Sequence, residues 1–490
     1  MNTLFIILIG LLISSLGFYL RIRKKDQGVD SWYYLSCVRE FKKSKKIPIK
    51  LPNYLLDIEE QWYPPGFSIF LSIFPFNLLK KYQSLIGPLI DSLQLAFVYF
   101  FTCFVTGNIT TAIFAGLIYA LTYTLIVENS NLNSRGFGSF LFSLTLIFLY
   151  KFILSQNIWW LVAVIIFGFF LLMSHKMATQ ALVFLLFGLA GVFYDWRYLA
   201  ILGAIFLAAF IFSKGFYWKI LKGHKEILLF WKKNLTKLRA HQLYHSPIYG
   251  KEDQGEKKIY PVFHQEGIRG FFTHTKRLLG HNPWIVFIIF LPFALNSCSF
   301  MINFLFSWLF LIYFLIVLTT YFPPLRFLGE GYKYIKFAIL PQSLLVGIMI
   351  TENYSFLWLF SLISLINLYA ILKIFKPISE TKNETLEEII NTIKKSPAEG
   401  IMCLPANLSD LITFFTKKKV LWGTHSSGWD KIEEFFPVLQ KPIEYFFEKY
   451  NLNFLLMTKN FAEVKDFKLS SGFNIILENA DYLLFEYKKI

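Results

Sequence analysis

The chain has 490 residues, of which 55% are apolar and 19% aromatic, and its formal net charge is +17. Only 17% of the residues are charged, against roughly 25% in an average soluble protein. This composition excludes an intrinsically disordered chain and a single soluble domain, and it favours a membrane protein. The positive charge suits anionic partners such as phospholipid headgroups or phosphates. An AT-rich genome is an equally good explanation of the high Phe, Ile, Lys and Asn content.

Apolar runs bounded by Lys and Arg predict about 11 transmembrane helices. Each run has about 15–24 residues, close to the length that crosses a bilayer core of about 30 Å. The first run lacks a small-residue cleavage site before RIRKK, so we interpret it as an anchor rather than a signal peptide. The predicted spans are 3–20, 83–106, 109–127, 137–155, 158–174, 177–194, 198–213, 284–299, 300–320, 337–351 and 355–373.

These spans sort the connecting loops into two sets. One membrane face receives only short loops, and the other receives all the long or polar ones together with the tail. All but two of the 49 Lys and Arg residues lie on that second face, Lys151 and Arg197 being the exceptions. The positive-inside rule alone favours a cytoplasmic position for this face, although the rule weakens for loops longer than about 60 residues. The one-sided distribution predicts that this face carries the function.

The first long loop, 21–82, begins with an aromatic amphipathic segment that starts at Asp30. Its pattern is typical of a helix lying in the membrane interface with the aromatic side down. A second juxtamembrane segment is predicted at 66–79, after a Pro-Pro break. Asp30 is the candidate catalytic carboxylate of this loop, and the reserve candidates are Asp57, Glu59 and Glu60.

Three further segments place charged side chains at span ends on the same face. Arg135 ends the loop that Glu128 begins, and its guanidinium suits bidentate binding of a phosphate. Glu128 suits metal binding or orientation of an acceptor. The turn at 174–177 adds a His–Lys pair suited to phosphate binding or proton transfer. Solvated turns and snorkelling side chains are the alternative interpretations. The third segment is the loop that precedes the predicted span 337–351. The residues of the second and third segments are His175, Lys176, Arg326, Glu330, Lys333 and Lys336.

The loop 214–283 contains six of the eight histidines. His241 and His245 have i, i+4 spacing, but no carboxylate or Cys completes a metal site at a convincing distance. Its basic, Trp-bearing first half is better explained by contact with lipid headgroups.

The tail 376–490 predicts a small α/β domain. Buried strands GIMCLP, KVLWG and NFLLM alternate with helices near 407–416 and 437–450, and a hairpin closes the chain. His425 and Asp430 follow a strand, which is a weak indication of a ligand site. Neither a Walker motif nor GxSxG is present, which counts against an ATP-driven pump and an α/β-hydrolase.

The order of these features resembles the GT-C superfamily of integral-membrane glycosyltransferases, which includes oligosaccharyltransferases, protein O-mannosyltransferases and lipid A aminoarabinose transferases. The resemblance rests on Asp30 heading the first loop, the YPPG break, Arg135, the SHK turn and the GEGYKY loop before a late span. It implies a polytopic α-helical membrane domain at 1–375, with juxtamembrane helices, followed by the α/β domain at 376–490. It also implies that the polar face lies outside the cytoplasm of a bacterial or archaeal cell.

The resemblance further implies a polyprenyl-phosphate sugar donor and a first-loop acid, matched by Asp30, that acts as base or metal ligand. Glu128 matches the second acid of metal-dependent members, so a divalent metal, Mg or Mn, held by Asp30 and Glu128 is one alternative. The chain departs from the pattern because Asp30 is not part of a DxD pair and the tail lacks WWDxG. Both the metal and protein N-glycosylation therefore stay open.

The resemblance thus implies a glycosyltransferase of the cell envelope that transfers a sugar to a lipid, glycan or protein, with no nucleic-acid partner. Its stereochemical outcome is left open. The alternatives are a transporter or flippase, or a polymerase, of lipid-linked saccharides. Asp30 is the predicted catalytic residue, and the predicted donor-phosphate site and its supporting residues are Arg135, Lys176, Arg326 and Lys333 with Glu128, His175 and Glu330.

Overall fold

The computed structural model describes residues 3–23, 28, 30–56, 62–234, 267–294, 299–375, 381–397, 399–423, 425, 429–435, 441–459, 464 and 469–488, without the side chains of 381–383 and 430. The chain forms two units. Unit 1 comprises Met1–Gln27, Lys81–Tyr217 and Phe271–Pro377. Unit 2 comprises Gly28–Lys80, Trp218–Gly270 and Ile378–Ile490.

Helices dominate the described residues. In chain order they are α1 (Thr3–Ile22), α2 (Asp30–Ser44), α3 (Gly66–Leu71), α4 (Phe76–Thr106), α5 (Ile109–Ala120), α6 (Tyr123–Asn129), α7 (Ser134–Ser155), α8 (Ile158–Leu172), α9 (Lys176–Phe193), α10 (Arg197–Phe212), α11 (Phe216–Asn234), α12 (Gly267–His281), α13 (Ile285–Ile288), α14 (Leu291–Ala294), α15 (Phe300–Tyr321), α16 (Ile339–Glu352), α17 (Leu357–Ile374), α18 (Thr381–Lys395), α19 (Ser409–Thr416), α20 (Trp429–Ile432) and α21 (Ile443–Tyr450).

The chain is a multi-pass membrane protein with six to nine candidate spans among the described residues, where the sequence predicts about 11. Among the described residues, six helices are long and apolar enough to cross a membrane: α1, α4, α7, α9, α15 and Tyr354–Ile374. The number rises to nine if each of three bent helix pairs counts as one span. Two of these pairs are α5 with α6, bent by 55°, and the 3-10 turn Gly331–Phe337 with α16, bent by 64°.

Two of the roughly 11 predicted spans are not candidate spans among the described residues. The run 158–174 forms α8, which has only 15 residues and is therefore shorter than a bilayer core of about 30 Å at 1.5 Å per residue. The described part of the run 284–299 forms two four-residue helices, α13 and α14. Pro292 lies in this run, and a proline lacks the N–H that a continuous helix needs there.

One end of the unit 1 helices gathers the polar loops. Asn133 caps α7 by accepting a hydrogen bond from the Arg135 N–H at 2.8 Å, and His175 caps α9 through Nδ1, which accepts from the Ala178 N–H at 3.1 Å. Two 3-10 turns, Pro323–Leu328 and Gly331–Phe337, connect the end of α15 to α16. These caps determine where each span ends and each loop begins.

A fully buried ion pair joins the last turn of α1 to the middle of α4. Arg21, in the last turn of α1, donates from Nε to the Asp91 carboxylate of α4. Oδ1 of Asp91 also accepts from the Tyr119 hydroxyl and from Nδ2 of Asn129, both at 2.7 Å. Asp91 therefore connects α1, α4, α5 and the end of α6. These bonds supply the hydrogen-bonding partners that a buried charge requires.

Unit 2 contains a five-stranded sheet with the order β2-β1-β3-β5-β4. β1 pairs in parallel with β2 and β3, whereas β5 pairs antiparallel with β3 and β4. The alternation of strands and helices follows the pattern that the tail sequence predicts. The strands are β1 (Gly400–Leu404), β2 (Lys419–Val420), β3 (Phe454–Thr458), β4 (Phe473–Glu478) and β5 (Tyr482–Tyr487).

The first loop adds to the edge of this sheet. Tyr54 forms a parallel bridge with Val420, and the Leu55 N–H donates to the Val420 carbonyl at 2.9 Å. The Tyr54 hydroxyl donates to Oδ1 of Asp410 at 2.7 Å. Burial, and next the Asp410 charge, raise the pKa of Tyr54 well above its usual value. The loop is thereby attached to the sheet by both main-chain and side-chain bonds.

The aromatic side of α2 is buried inside unit 2, which differs from the membrane-interface helix that the sequence predicts. Trp32 contacts Phe414 and Phe415 of α19, with ring centroids 4.9 and 4.8 Å apart. Tyr33 and Tyr34 are also buried. The pattern of α2 identifies an apolar face, but α19 and its neighbours supply the surface that covers it.

Candidate functional site

A buried ion pair lies where α6 meets the turn before α16. Nζ of Lys336 lies 2.9 Å from Oε2 of Glu128, and their side chains are only 1% and 7% exposed. Arg135 and Lys333 also interact electrostatically with both members of the pair. Arg135 and Lys333 attract Glu128 and repel Lys336, so the local charge is positive.

A second carboxylate, Glu330, lies in the same part of unit 1. Nη2 of Arg277 and Nζ of Lys333 approach its oxygens at 3.3 and 3.2 Å. Arg277 and His281 lie one turn apart on α12, so they share one helix face. Both contact Tyr332: the Arg277 guanidinium is 4.5 Å from the ring centroid, and the His281 ring stacks on it at 4.1 Å with an angle of 12°.

Charges of both signs act on the pKa of His281. Burial, and next the Arg277 charge, lower the pKa of His281 to about 4, while Glu128 and Glu330 act in the opposite direction. The imidazole is therefore neutral at pH 7. We call this set the charged cluster; it has four cations and two carboxylates and consists of Glu128, Arg135, Arg277, His281, Glu330, Lys333 and Lys336.

The cluster contains four of the residues that the sequence selects, Glu128, Arg135, Glu330 and Lys333. The other three candidates in unit 1 are Arg326, His175 and Lys176, which lie at helix ends. Buried Arg326 donates from Nε to the Thr320 carbonyl at 3.1 Å, near the end of α15. His175 caps α9, and Lys176, which is partly exposed, is its first residue.

Close packing connects the start of α9 to its surroundings in unit 1. The Tyr334 hydroxyl donates to Oε1 of Gln180 at 2.8 Å, which links α9 to the turn that carries Lys333. A Cβ at Gly138 would lie 2.6 Å from Cβ of His175. A glycine is therefore needed in α7 where His175 approaches, because a side chain there would clash.

Asp30 belongs to unit 2, where it begins α2. Nε2 of His425 lies 3.4 Å from Oδ1 of Asp30, and both side chains are 17% exposed. The His425 ring lies 4.5, 4.8 and 5.7 Å from the rings of Tyr63, Tyr33 and Tyr34. Asp30 therefore has an imidazole neighbour from the tail, a partner that the weak His–Asp motif of the sequence does not indicate.

The described residues do not fit a metal site. Within those parts of the chain, no group of three or more His, Cys, Asp or Glu side chains is arranged to hold an ion. Of the two predicted ligands, Glu128 is paired with Lys336, and Asp30 lies beside His425. Structural zinc requires about four ligands and calcium six or more. The predicted Mg or Mn stays a prediction.

Several sequence candidates lie outside the described residues: Asp57, Glu59, Glu60, His241, His245 and the side chain of Asp430. The predicted site omits three cluster members, Arg277, His281 and Lys336, of which only Lys336 is named among the charged residues at span ends. Arg277 and His281 have the i, i+4 spacing that could have identified them, on a helix directly before Asn-Pro. Lys336 lies in the predicted GEGYKY loop, but its pairing with Glu128 depends on the fold.

No protein-family model matches the sequence, and no curated protein matches it. Solved structures match the fold. The archaeal oligosaccharyltransferase AglB from Archaeoglobus fulgidus, in complex with an inhibitory peptide and a dolichol-phosphate, gives a TM-score of 0.58 at 13% identity, over 93% of this chain and 69% of that chain. Its complex with Zn and sulfate gives 0.56 at 13% identity, over 92% and 68%. ArnT from Cupriavidus metallidurans, bound to undecaprenyl phosphate, gives 0.46 at 11% identity, over 99% and 98%.

The similarity to AglB establishes the fold. The described residues share the fold of the oligosaccharyltransferase, so the GT-C-like fold that the loop order predicts is confirmed. At 13% identity the likeness does not extend to substrate or residue roles.

Proposed function

We propose that this protein is a membrane glycosyltransferase that transfers a sugar from a polyprenyl-phosphate-linked donor to a lipid, glycan or protein acceptor at the non-cytoplasmic face. The proposal is supported first by the fold shared with AglB, whose structure contains a dolichol-phosphate. Its main support is the charged cluster, since an excess of cations at the ends of membrane helices suits the phosphate of a lipid anchored in the bilayer.

The cluster has the chemistry that phosphate binding requires. Arginine presents a planar fork of N–H groups to phosphate oxygens, and lysine adds a compact charge. In this proposal Arg135 and Lys333 bind the phosphate directly, while Glu330 holds the Lys333 ammonium in position. Lys176 and Arg326 stay as predicted contributors from the same polar end of unit 1.

The reaction exchanges one C–O bond for another. The acceptor hydroxyl attacks the anomeric carbon, the bond from that carbon to the phosphate oxygen breaks, and the polyprenyl phosphate leaves with the negative charge. The cations stabilise that charge as it develops. The acceptor proton passes to a carboxylate, which we assign to Asp30. Asp30 begins α2, where the positive end of the helix dipole stabilises its ionised form.

Donor binding tests the phosphate site. We expect Arg135→Ala and Lys333→Ala to weaken binding of a polyprenyl-phosphate sugar in lipid nanodiscs, each by roughly 10- to 100-fold, the equivalent of a charged hydrogen bond of about 1.5–3 kcal/mol. Arg197→Ala is the matched control, because Arg197 begins α10 at the other end of α9 and pairs with Asp195. Unchanged affinity in the first two variants would exclude these residues from the site.

Turnover tests the reaction and the catalytic residue. Asp30→Asn should lower the rate of sugar transfer by about 10²–10⁴-fold, the usual contribution of a general base, while donor binding is retained. A rate near that of the wild type would transfer the assignment to Asp57, Glu59 or Glu60. If the wild type moves the lipid-linked sugar across vesicles without transferring it, the transporter alternative is correct.

A further inference from the structure

His425 is held in an aromatic enclosure formed by the first loop. Its ring contacts Tyr33, Tyr34 and Tyr63, all of which are buried. The hydroxyls of Tyr34 and Tyr63 lie 3.5 Å apart. A ring with close neighbours of this size has few rotamers available, so the enclosure determines the position of Nε2.

The enclosed imidazole lies next to the carboxylate that begins α2. Nε2 lies 3.4 Å from Oδ1 of Asp30, a carboxylate that is itself still 17% exposed. An imidazole with its proton on Nε2 can donate to that oxygen when the two groups approach more closely. A separation of 3.4 Å is long for such a bond, but hydrogen bonds between catalytic groups often shorten when the substrate binds.

The segment that carries His425 is attached to the first loop at three other points. Residues 53–56 pair with the strand β2 that precedes it, and Tyr54 bonds to Asp410. Trp32 packs between Phe414 and Phe415 of α19. The distance between Asp30 and His425 is therefore maintained by contacts between residues that follow Asp30 and residues that precede His425 in the chain.

We propose that His425 is a positioning residue that orients Asp30, and that the C-terminal sheet serves to present this histidine to the first loop. The inference rests on the proposed function, in which Asp30 removes the acceptor proton. The orientation of a reacting group strongly affects the reaction rate, since a displacement of about 1 Å can lower the rate by about 100-fold.

Two substitutions separate orientation from packing. His425→Phe retains a ring among the tyrosines and removes Nε2, whereas His425→Asn removes most of the ring. We expect both to lower the turnover number by about 10- to 100-fold with unchanged affinity for the polyprenyl-phosphate sugar, and His425→Phe to unfold at the temperature of the wild type. The control is Glu434→Gln, which breaks the Glu434–Lys449 pair in the same C-terminal segment and should leave turnover unchanged.

A double-mutant cycle tests whether His425 acts through Asp30. If it does, adding His425→Phe to Asp30→Asn should lower the residual rate by less than threefold, because the carboxylate that it orients is already absent. A full additional loss would overturn the inference, as would wild-type turnover in His425→Phe alone. Recovery of His425→Asn by added Mg²⁺ or Mn²⁺ would also overturn it, since His425 would then act as a metal ligand. Full turnover of Asp30→Asn would instead contradict the proposed role of Asp30 as the general base.

Discussion

Replacing Glu128 by Gln should destabilise unit 1 more than replacing Lys336 by Met, although both changes break the same ion pair. The two side chains are almost fully buried and lie 2.9 Å apart. Removing one member of a buried pair costs about 3–5 kcal/mol, because the other charge is left without compensation. The surroundings of the pair determine where in that range each variant falls.

The neighbouring cations make the two variants unequal. In Lys336→Met, Glu128 keeps the attraction of Arg135 and Lys333, so we expect a loss of about 3 kcal/mol in the free energy of unfolding. In Glu128→Gln, the same cations repel the remaining Lys336, which places the expected loss at about 5 kcal/mol. The double variant should recover part of either loss, since no buried charge remains in the pair.

Equilibrium unfolding in mixed micelles measures these differences. Arg197→Met serves as the control, because the Asp195–Arg197 pair is partly exposed and such pairs contribute about 1 kcal/mol or less. A phosphate-bearing donor lipid should stabilise Glu128→Gln by more than it stabilises the wild type, since the phosphate supplies the negative charge that the variant lacks. Greater destabilisation by Lys336→Met, or a loss below about 1 kcal/mol in both single variants, would refute the assigned surroundings of the pair.

Three further expectations concern other parts of the molecule. Because burial lowers the pKa of His281 to about 4, folding favours the neutral imidazole. Its contribution to the free energy of unfolding is therefore complete above about pH 6.5 and is lost as the pH falls towards 4. His281→Phe should make the free energy of unfolding depend less on pH over that interval, and an unchanged pH dependence would contradict this expectation. Tyr54→Phe removes a buried hydrogen bond to Asp410 and should cost about 1.5–3 kcal/mol in thermal or denaturant unfolding, whereas an unaltered midpoint would show that the bond contributes nothing. In a cysteine-free background, Lys46→Cys should react with an impermeant thiol reagent in intact cells and Tyr194→Cys should not, and the reverse result would invert the predicted orientation.

Much of the membrane fold can be predicted from local sequence patterns. Long apolar runs determine α1, α7 and α15, because each must satisfy its backbone hydrogen bonds internally in lipid. The strands of the tail are likewise visible as short buried runs between turns. Loop order and short motifs were sufficient to suggest the GT-C fold. The number of spans cannot be predicted in the same way, because hydropathy does not distinguish a straight helix from a short or broken one.

Charge at a span end identified Glu128, Arg135, Glu330 and Lys333 as candidates, but it did not show which charges meet. Glu128 and Lys336 pair across 208 positions of the chain, and His425 reaches Asp30 from the tail. The aromatic face of α2 is similar, since its pattern indicates burial without identifying α19 as the surface that buries it. The periodicity of a segment indicates which of its side chains are buried and which are exposed, because this depends on residues close together in the sequence. The partner of a buried charge or ring depends instead on contacts that only the folded chain brings together.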